Sequence, residues 1–600
     1  MYKKYIKIKK AFLWTMAFLP GLIAVSCVSV IDETIFPGTN DSGSVFVSVT
    51  ISNSHISTKA TPSGGEYGDG EETGFGYENK ISDLTVFFYQ SGSGIDALSD
   101  TPIVASLYFT NITEASGFVV TDVLAVKGLE TGTTYHVAVA ANAGDLTSLT
   151  SLGDVRDYLV KQAWKTGTTN SDFVMSSEAD ATITIQEINN TPLVPANVAV
   201  AVERIAARID FLPKSADASA GTVANQYAVK SGGVTVAKVT IDKIKILNKL
   251  TAGSFLFKRT ANAAGASFGS VITYLGNETK DISGIQTNYV IDPWSFEKTI
   301  AHLSGGYFNK SNGGAGSDLA TSLYANYSPD VLFTMNDAKP VKPSLAGEDF
   351  YVLDYTLENT TEKASQVTGY TTGVMFEASY IPLKITSFNS SALTNEISDN
   401  SNAITFYSYN GESGNVLYNS LEALEYTSLK SPQPVSGNFF TKTFSTLNTW
   451  QDVADYSTRL KTNDILGYRL YLETKYSGKQ LSATLSADEA ASVSWQTFKT
   501  GFDTNTRLKL RALNVGYFEH GTCYYSYWIR HSNNNSSDSG IMEFGIVRNN
   551  VYKLKVNSIS SLGKPAAINE NPDTPDENGN INVDVFVRSW NLIAHPEIIL

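Results

Sequence analysis

Apolar and polar residues alternate in short bursts along most of this chain, the period-two signature of half-buried β-strands. The clearest burst is SVFVSVTISNSHISTK at 44–59. Val45, Val47, Val49 and Ile51 fall on one row, with Ser48, Thr50 and Ser52 on the other. A Gly/Glu-rich loop is expected behind it at 60–73. Near the far end, INVDVFVRSW repeats the row with Ile581, Val583, Val585 and Val587. Two such strands, one at each end, can compete for one groove. Pattern alone reads them equally well as ordinary partners in one closed sandwich.

Between them lie further strand patterns: DLTVFFYQ with Leu84, Val86 and Phe88, then 103–108, then TYHVAVAANAGDL with Tyr135, Val137 and Val139. One short amphipathic helix is expected at 154–164. In PLVPANVAVAVERIAARIDFL the row Val198, Val200, Val202 shifts past Glu203-Arg204 to Ile205 and Ile209. Such a shift marks a bulge or a strand crossing between sheets. VTIDKIKILNKL then mirrors ISDLTVFFYQ, so the order strand, loop, strand repeats, with a boundary near 191–197. The pattern predicts an all-β chain with a few short helices, in two tandem β-sandwich domains at 60–195 and 196–568. Strands of the second, larger domain include SFLFKR, TGVMFEASYIPL, NAITFYSYN, GYRLYLETKY and RNNVYKLKVNSI, with short helices at 421–426 and 487–500. Residues 569–580, rich in Pro, Asp, Glu and Asn, read as an exposed loop before the final strands.

Composition agrees. Six hundred residues can bury more than one core, and 31 Tyr and 29 Phe against 6 Met suit sheets better than helical bundles. The formal charge of −14 gives no electrostatic route to nucleic acid or to an anionic membrane surface. The N-terminus is a leader: basic residues Lys3, Lys4, Lys7, Lys9 and Lys10, then an apolar run at 11–25. That run is too short to span a bilayer and suits a signal peptide. It ends Ala24-Val25-Ser26-Cys27, small residues before a cysteine, which marks Cys27 for lipidation with palmitate after removal of 1–26. With Cys27 modified, Cys523 has no disulfide partner and reads as a small buried hydrophobe.

Motifs for chemistry are sparse. Gly265-Ala266-Ser267-Phe268-Gly269 matches G-x-S-x-G but lacks the strand before and helix after that a nucleophile elbow needs. His520, Cys523 and His531 supply three candidate zinc ligands without a recognised spacing. Asp573, Asp576 and Asn578-Gly579 lack the spacing and bidentate Glu of a calcium loop. No catalytic residue, metal site or cofactor is expected.

The assembled pieces resemble the Bacteroidales-type fimbrillins, in the minor-fimbrium-subunit branch of type V pilins. They are the cysteine motif, DLTVFFY, YHVAVAANAGDL, FVMSSE, VERIAARI, NKLTAGSFLFKR, YVIDPW, YTLENTTEKASQVTGYTTGVMFEASY, FYSYNGESGNVLY and CYYSYWIRHSNNN…FGIVRNNVYKLKVNSIS, in order over nearly the whole chain. The resemblance implies transthyretin-like sandwiches and a non-enzymatic fimbrial subunit, exported as an outer-membrane lipoprotein and supporting adhesion from the cell surface. It implies a cut by a surface protease after a basic residue, here Lys59-Ala60. The family's protease prefers Arg where this chain has Lys. The cut frees the first strand, carried on segment 27–59, and the groove left behind accepts a donor strand, here 581–590 within 569–600, from another subunit. The partners implied are further copies, other fimbrial subunits, the outer membrane through the precursor's lipid, the protease and a receptor on host or bacterium. The competing expectation is a glycan-binding surface lipoprotein using Trp294, Trp450, Trp495 or Trp528.

Overall fold

The computed structural model describes residues 43–53, 67–90 and, with short breaks, 100–257. Beyond those it describes 280–287, 333–334, 341–359, 371–388, 393–396, 403–419, 515–531, 544–565 and 580–591, again with short breaks. The first strands are β1 (Ser44–Asn53), β2 (Tyr67–Thr73), β3 (Leu84–Tyr89), β4 (Ile103–Phe109), β5 (Ile112–Ala115) and β6 (Phe118–Thr121). They continue with β7 (Leu124–Lys127), β8 (Thr134–Ala141), β9 (Met175–Ser177), β10 (Ala181–Thr184), β11 (Ala196–Arg204) and β12 (Ala206–Leu212). Next come β13 (Gln226–Ser231), β14 (Val234–Leu247), β15 (Lys280–Ile282), β16 (Ile285–Thr287), β17 (Phe333–Thr334), β18 (Val341–Leu345) and β19 (Glu348–Leu357). The last are β20 (Gly373–Pro382), β21 (Ile385–Phe388), β22 (Leu393–Glu396), β23 (Phe406–Gly411), β24 (Gly414–Tyr418), β25 (Val515–Phe518), β26 (Thr522–Trp528), β27 (Asn550–Ile559) and β28 (Ile581–Asn591). The helices α1 (Gly76–Asn79) and α2 (Leu152–Asp157) are short. The chain is all-β, as the alternation predicts.

Ten strands form the first sheet, in the order β4-β3-β8-β9-β11-β1-β6-β5, with β10 on β8 and β7 on β1. A six-stranded sheet, β18-β19-β12-β27-β28-β2, faces a five-stranded one built on β13-β14-β20-β26. Between these two lies a second core, to which Ile209, Phe211, Val239, Phe376, Leu554 and Val585 contribute. The first core is centred on β3 and β8, and it also takes in Val352, Tyr355, Val551 and Trp590 from the far face of the six-stranded sheet. That sheet therefore serves both cores. Smaller sheets are β22-β21-β24-β23-β25 and β15-β16.

Three local expectations are revised. Segment 60–73 is not all loop: Tyr67–Thr73 forms β2, paired in parallel with β28. Gly and acidic residues hid it, because such residues are depleted in strands. The helix expected at 154–164 ends at Asp157. Its start is capped by Ser151, whose side chain accepts from the Asp154 amide. It stops because Tyr158 and Val160 hydrogen-bond the backbone of 253–256. Third, β11 belongs to the first sheet, so the chain changes sheet at Ile205, one strand beyond the 195/196 division read from sequence. The row shift at Glu203-Arg204 marks that crossing.

A close contact at the β20–β26 pair tests the packing. A Cβ on Gly373 would lie 2.5 Å from Cε3 of Trp528 and 3.0 Å from the Tyr527 carbonyl oxygen. Gly373→Ala is expected to lower stability by about 1–3 kcal/mol through overpacking, read as a fall in the urea midpoint at unchanged m-value.

Candidate functional site

The expected removable strand β1 sits in the middle of the first sheet. It pairs in parallel with β11, from Val47 opposite Ala196 to Asn53 opposite Val202. On its other edge it pairs antiparallel with β7 through 44–47 and with β6 through Thr50 and Ile51. Val45, Val47, Val49 and Ile51 are at most 5% exposed and face the first core. Ser48 is buried too, its hydroxyl donating to the Thr121 carbonyl, while the Val49 amide donates to the Thr121 hydroxyl at 2.9 Å. A strand so placed is a plank between two ladders, and its absence would open both neighbouring edges.

The expected donor strand β28 has a seat of its own. It runs antiparallel to β27, from Asn550 opposite Ser589 to Ile559 opposite Ile581, and parallel to β2. Ile581, Val583, Val585 and Val587 face the second core. The two rows of like pattern thus lie in different sheets, and the structure does not bring them into one groove. β28 reaches the first core only at its end. The Trp590 ring stacks on Tyr355 at 5.8 Å and meets Phe173 edge-on at 5.7 Å. The Arg204 guanidinium lies over that ring at 4.2 Å.

Sequence reasoning missed the charged junction that holds these parts in register. On β12, Ala207, Ile209 and Phe211 face the second core, which turns Arg208 and Asp210 to the opposite face. Both are nonetheless fully buried, because β2 and α1 cover that face. Arg208 donates to Asp210 (Nε, 2.9 Å), to Glu78 of α1 (Nη1, 3.1 Å) and to Glu72 of β2 (Nη2, 3.2 Å). Lys553 of β27 lies 3.3 Å from Asp210 and 3.4 Å from Glu72, and Arg588 of β28 also reaches Glu72 at 3.4 Å. Tyr355 donates its hydroxyl to Glu78 at 2.5 Å. Arg204 is satisfied mainly by neutral acceptors: the carbonyls of Glu78 (3.1 Å) and Trp590 (3.0 Å) and the side chain of Asn79.

The electrostatics follow from this geometry. Burial opposes the Arg208 charge, but the carboxylates of Asp210 and Glu78 outweigh it and hold its pKa above the ordinary value. Arg204 has no carboxylate in its grip, and burial pushes it down to about 9 against the pull of Glu78. Burial and then Glu78 keep Tyr355 protonated, and so a donor. A second buried pair braces the same region. Arg548 donates to Glu358 at 2.7 Å and to the carbonyls of Phe255 and Leu256 at 2.7 and 2.9 Å. The available signal was charge inside apolar strands, the Arg208 and Asp210 of ARIDF and the Lys553 of VYKLKV.

Cys27, Lys59, Ala60, Trp294, Trp450, Trp495 and the G-x-S-x-G segment lie outside the described residues. Trp528 is 6% exposed and packs with Leu247, Met375 and Phe544, so its ring face is not open to a sugar. His520 sits at an exposed turn, Cys523 is buried in β26, and His531 is buried with its Nδ1 2.8 Å from the Tyr552 hydroxyl. Among the described residues, no three His, Cys, Asp or Glu side chains form a metal-holding group.

Two measurements test this region. Arg208→Met removes one partner from a buried set and should cost about 3–5 kcal/mol. Hydrogen exchange should then show 67–73 losing protection before the rest of the six-stranded sheet. His531, pushed down to about 3 by burial, takes up a proton in the unfolded chain near 6.5 but not in the folded one. Stability should therefore be full above pH 6.5 and fall below it, by up to about 1.4 kcal/mol per pH unit towards pH 3. His531→Gln should flatten that part of the profile.

Comparisons with known proteins follow the same parts of the chain. The family model of the major fimbrial subunit protein FimA matches residues 46–236, from β1 to the β13–β14 hairpin. The model of the C-terminal region of fimbrillin, the major fimbrial subunit protein type IV, matches 516–595, from β25 past β28. No curated protein matches the sequence. Among solved structures, a fimbrilin FimA from Porphyromonas gingivalis W83 is 14% identical over 91% of this chain and 98% of its own, with a TM-score of 0.35. The tip fimbrial protein Mfa3 of Porphyromonas gingivalis is 8% identical over 91% of this chain and 100% of its own, at 0.29. The fimbrial anchor protein Mfa2 of the same organism covers 41% of this chain and 74% of its own, 11% identical, at 0.19. Likenesses this low carry no argument about fold or role. The two family models, which fall on the strand-bearing ends of the chain, are what the conclusion rests on: residues 46–236 and 516–595 match the models of the major fimbrial subunit, which supports a Bacteroidales-type fimbrillin.

Proposed function

We propose that this fimbrial structural subunit is exported as an outer-membrane lipoprotein through Cys27 and polymerises by strand exchange once a surface protease cuts at Lys59-Ala60. The cut releases β1, and the C-terminal strand of another copy takes its seat, building an adhesive fimbria on the cell surface. The role is structural rather than catalytic.

The observation that carries this reading is the contrast across residues 54–66. On one side β1 is held by ladder bonds and four apolar side chains. On the other, β2 and α1 are fastened to a different sheet through Glu72 and Glu78. A cut between them frees the first and leaves the second in place. Burial of the four side chains is worth about 1.5–3 kcal/mol each, and each ladder bond about 1 kcal/mol net. The cut alone therefore does not expel β1; an incoming strand must replace it. Before the cut, tethering gives β1 an effective concentration that no second copy can match. Afterwards that advantage is gone.

Polarity supports β28, with the chain to Leu600, as the donor. β28 begins at Ile581, opposite Ile559 at the end of the second core remote from the first, and it ends at Trp590 against the first core. Peeled from β27 and β2, it stays rooted at that remote end. β1 begins at the outer end of the first core. A strand arriving there from a neighbour's remote end runs in the direction of β1, with β-branched residues in the same alternate row. Because the β28 valines also fill their own core, acidic substitutions there would unfold the subunit, and competition by peptides is the better probe.

Lys59→Ala should leave an uncut monomer that forms no heat-sensitive ladders under the protease; normal ladders would move the cut elsewhere. A synthetic peptide of residues 44–53 should cap the open seat and shorten ladders of the cut wild-type chain. Peptides 581–591 and 592–600 compared in the same assay identify the donor, with inhibition expected from the first. If neither shortens the ladders, the exchange is disproved.

A further inference from the structure

Seven large hydrophobic residues stand exposed among the described residues, and five fall in two places. Ile188 (54% exposed), Leu193 (83%) and Val194 (39%) lie on the loop between the 3-10 turn Glu187–Asn190 and β11. Val234 (66%) and Val236 (37%) lie at the β13–β14 hairpin, whose turn Gly232-Gly233 has positive φ at both glycines. An exposed apolar group gathered in a patch marks a contact surface.

The topology sets the two patches at opposite ends of the molecule. The first lies where β11 starts, beside the start of β1, and β11 then runs through Ile205 directly into β12. β14 ends near the junction of the two cores, where the Leu250 amide donates to Thr356 and the following Leu357 is paired with Ala206. Its 14 residues therefore carry the hairpin up to about 46 Å from that junction, at roughly 3.3 Å per residue. The patches are also opposite in charge. Exposed Glu187 and Glu130 flank the first, against Lys127; Lys230, Lys238 and Lys384 flank the second, against Asp217.

We propose that these two patches are the two faces of one head-to-tail contact, the 187–195 loop of one copy seating on the β13–β14 hairpin of the next. The proposal rests on the strand-exchange reading and adds to it a docking surface independent of the exchanged strand. Both the exchanged strand and the hairpin leave the second core at its remote end, and both the β1 seat and the 187–195 loop lie at the outer end of the first. Opposite charge brings the ends together before exchange, and the apolar residues, exposed in the free subunit, are covered in the polymer.

The test uses the full chain, cut in solution. Batches carrying Leu193→Cys or Val234→Cys are mixed, polymerised and oxidised. Disulfide-linked pairs are expected in the mixture and not in either batch alone. In a second arm, Leu193→Glu should leave thermal stability unchanged and slow ladder growth about ten-fold, and added salt should slow the wild type. A wild-type chain that never forms ladders removes the strand-exchange reading and this proposal with it. Wild-type ladders without cross-links in the mixture, or with Leu193→Glu growing at the wild-type rate, overturn the docking contact alone.

Discussion

β12 turns one face to an apolar core and sets Arg208 and Asp210 on the other, and a charged face of that kind cannot be covered by hydrocarbon. Two buried charges in a dry interior are stable only when every neighbour is matched to them. Much of the central architecture answers this demand. Lys553 arrives on β27, Glu72 on β2, Glu78 on α1 and the Tyr355 hydroxyl on β19. Each of those elements is fixed in register by the charge it brings. The six-stranded sheet can then present apolar residues to two cores at once, and Trp590 and Tyr355 close the gap between them. Specificity of assembly is the gain, since a displaced β2 or α1 would strand a buried guanidinium.

The parts of the chain that follow simple alternation were legible in its sequence. β1, β3, β8, β11, β20, β27 and β28 were all visible as strand patterns, because apolar residues recur at alternate positions in each. The charged junction was not visible, for a physical reason. Period-two alternation says which residues share a face but not what lies on top of it, so it leaves the surroundings of Arg208 and Asp210 open. Their cover, YGDGEET, has almost no apolar residues and reads as a loop. It becomes a strand because β28 offers it an edge and Arg208 and Lys553 offer its Glu72 a charge. The division between the two halves was read one strand early because β11 looks like the opening strand of a new domain, whereas its parallel pairing with β1 commits it to the first sheet.

The placement of β1 and β28 gives the proposed strand exchange a geometric logic. Each is a single row of β-branched residues set between two neighbours, one belonging to each core. Under that proposal the two seats have matching polarity when molecules are laid end to end, and the C-terminal strand of one copy fills the β1 seat of the next. A contact of that kind does not close on itself, and its natural product is a filament.

The direct run from β11 through Ile205 into β12 gives such a filament a mechanical character. Backbone continues from one core into the other with a single residue between strands, and both strands are laddered to parallel neighbours, β12 to β27 and β11 to β1 or, in the proposed polymer, to the strand that takes the β1 seat. Tension along the long axis would load these ladders in shear, so many hydrogen bonds resist together instead of parting one at a time. A surface thread built this way would stiffen under drag at the points where an unpaired linker would stretch.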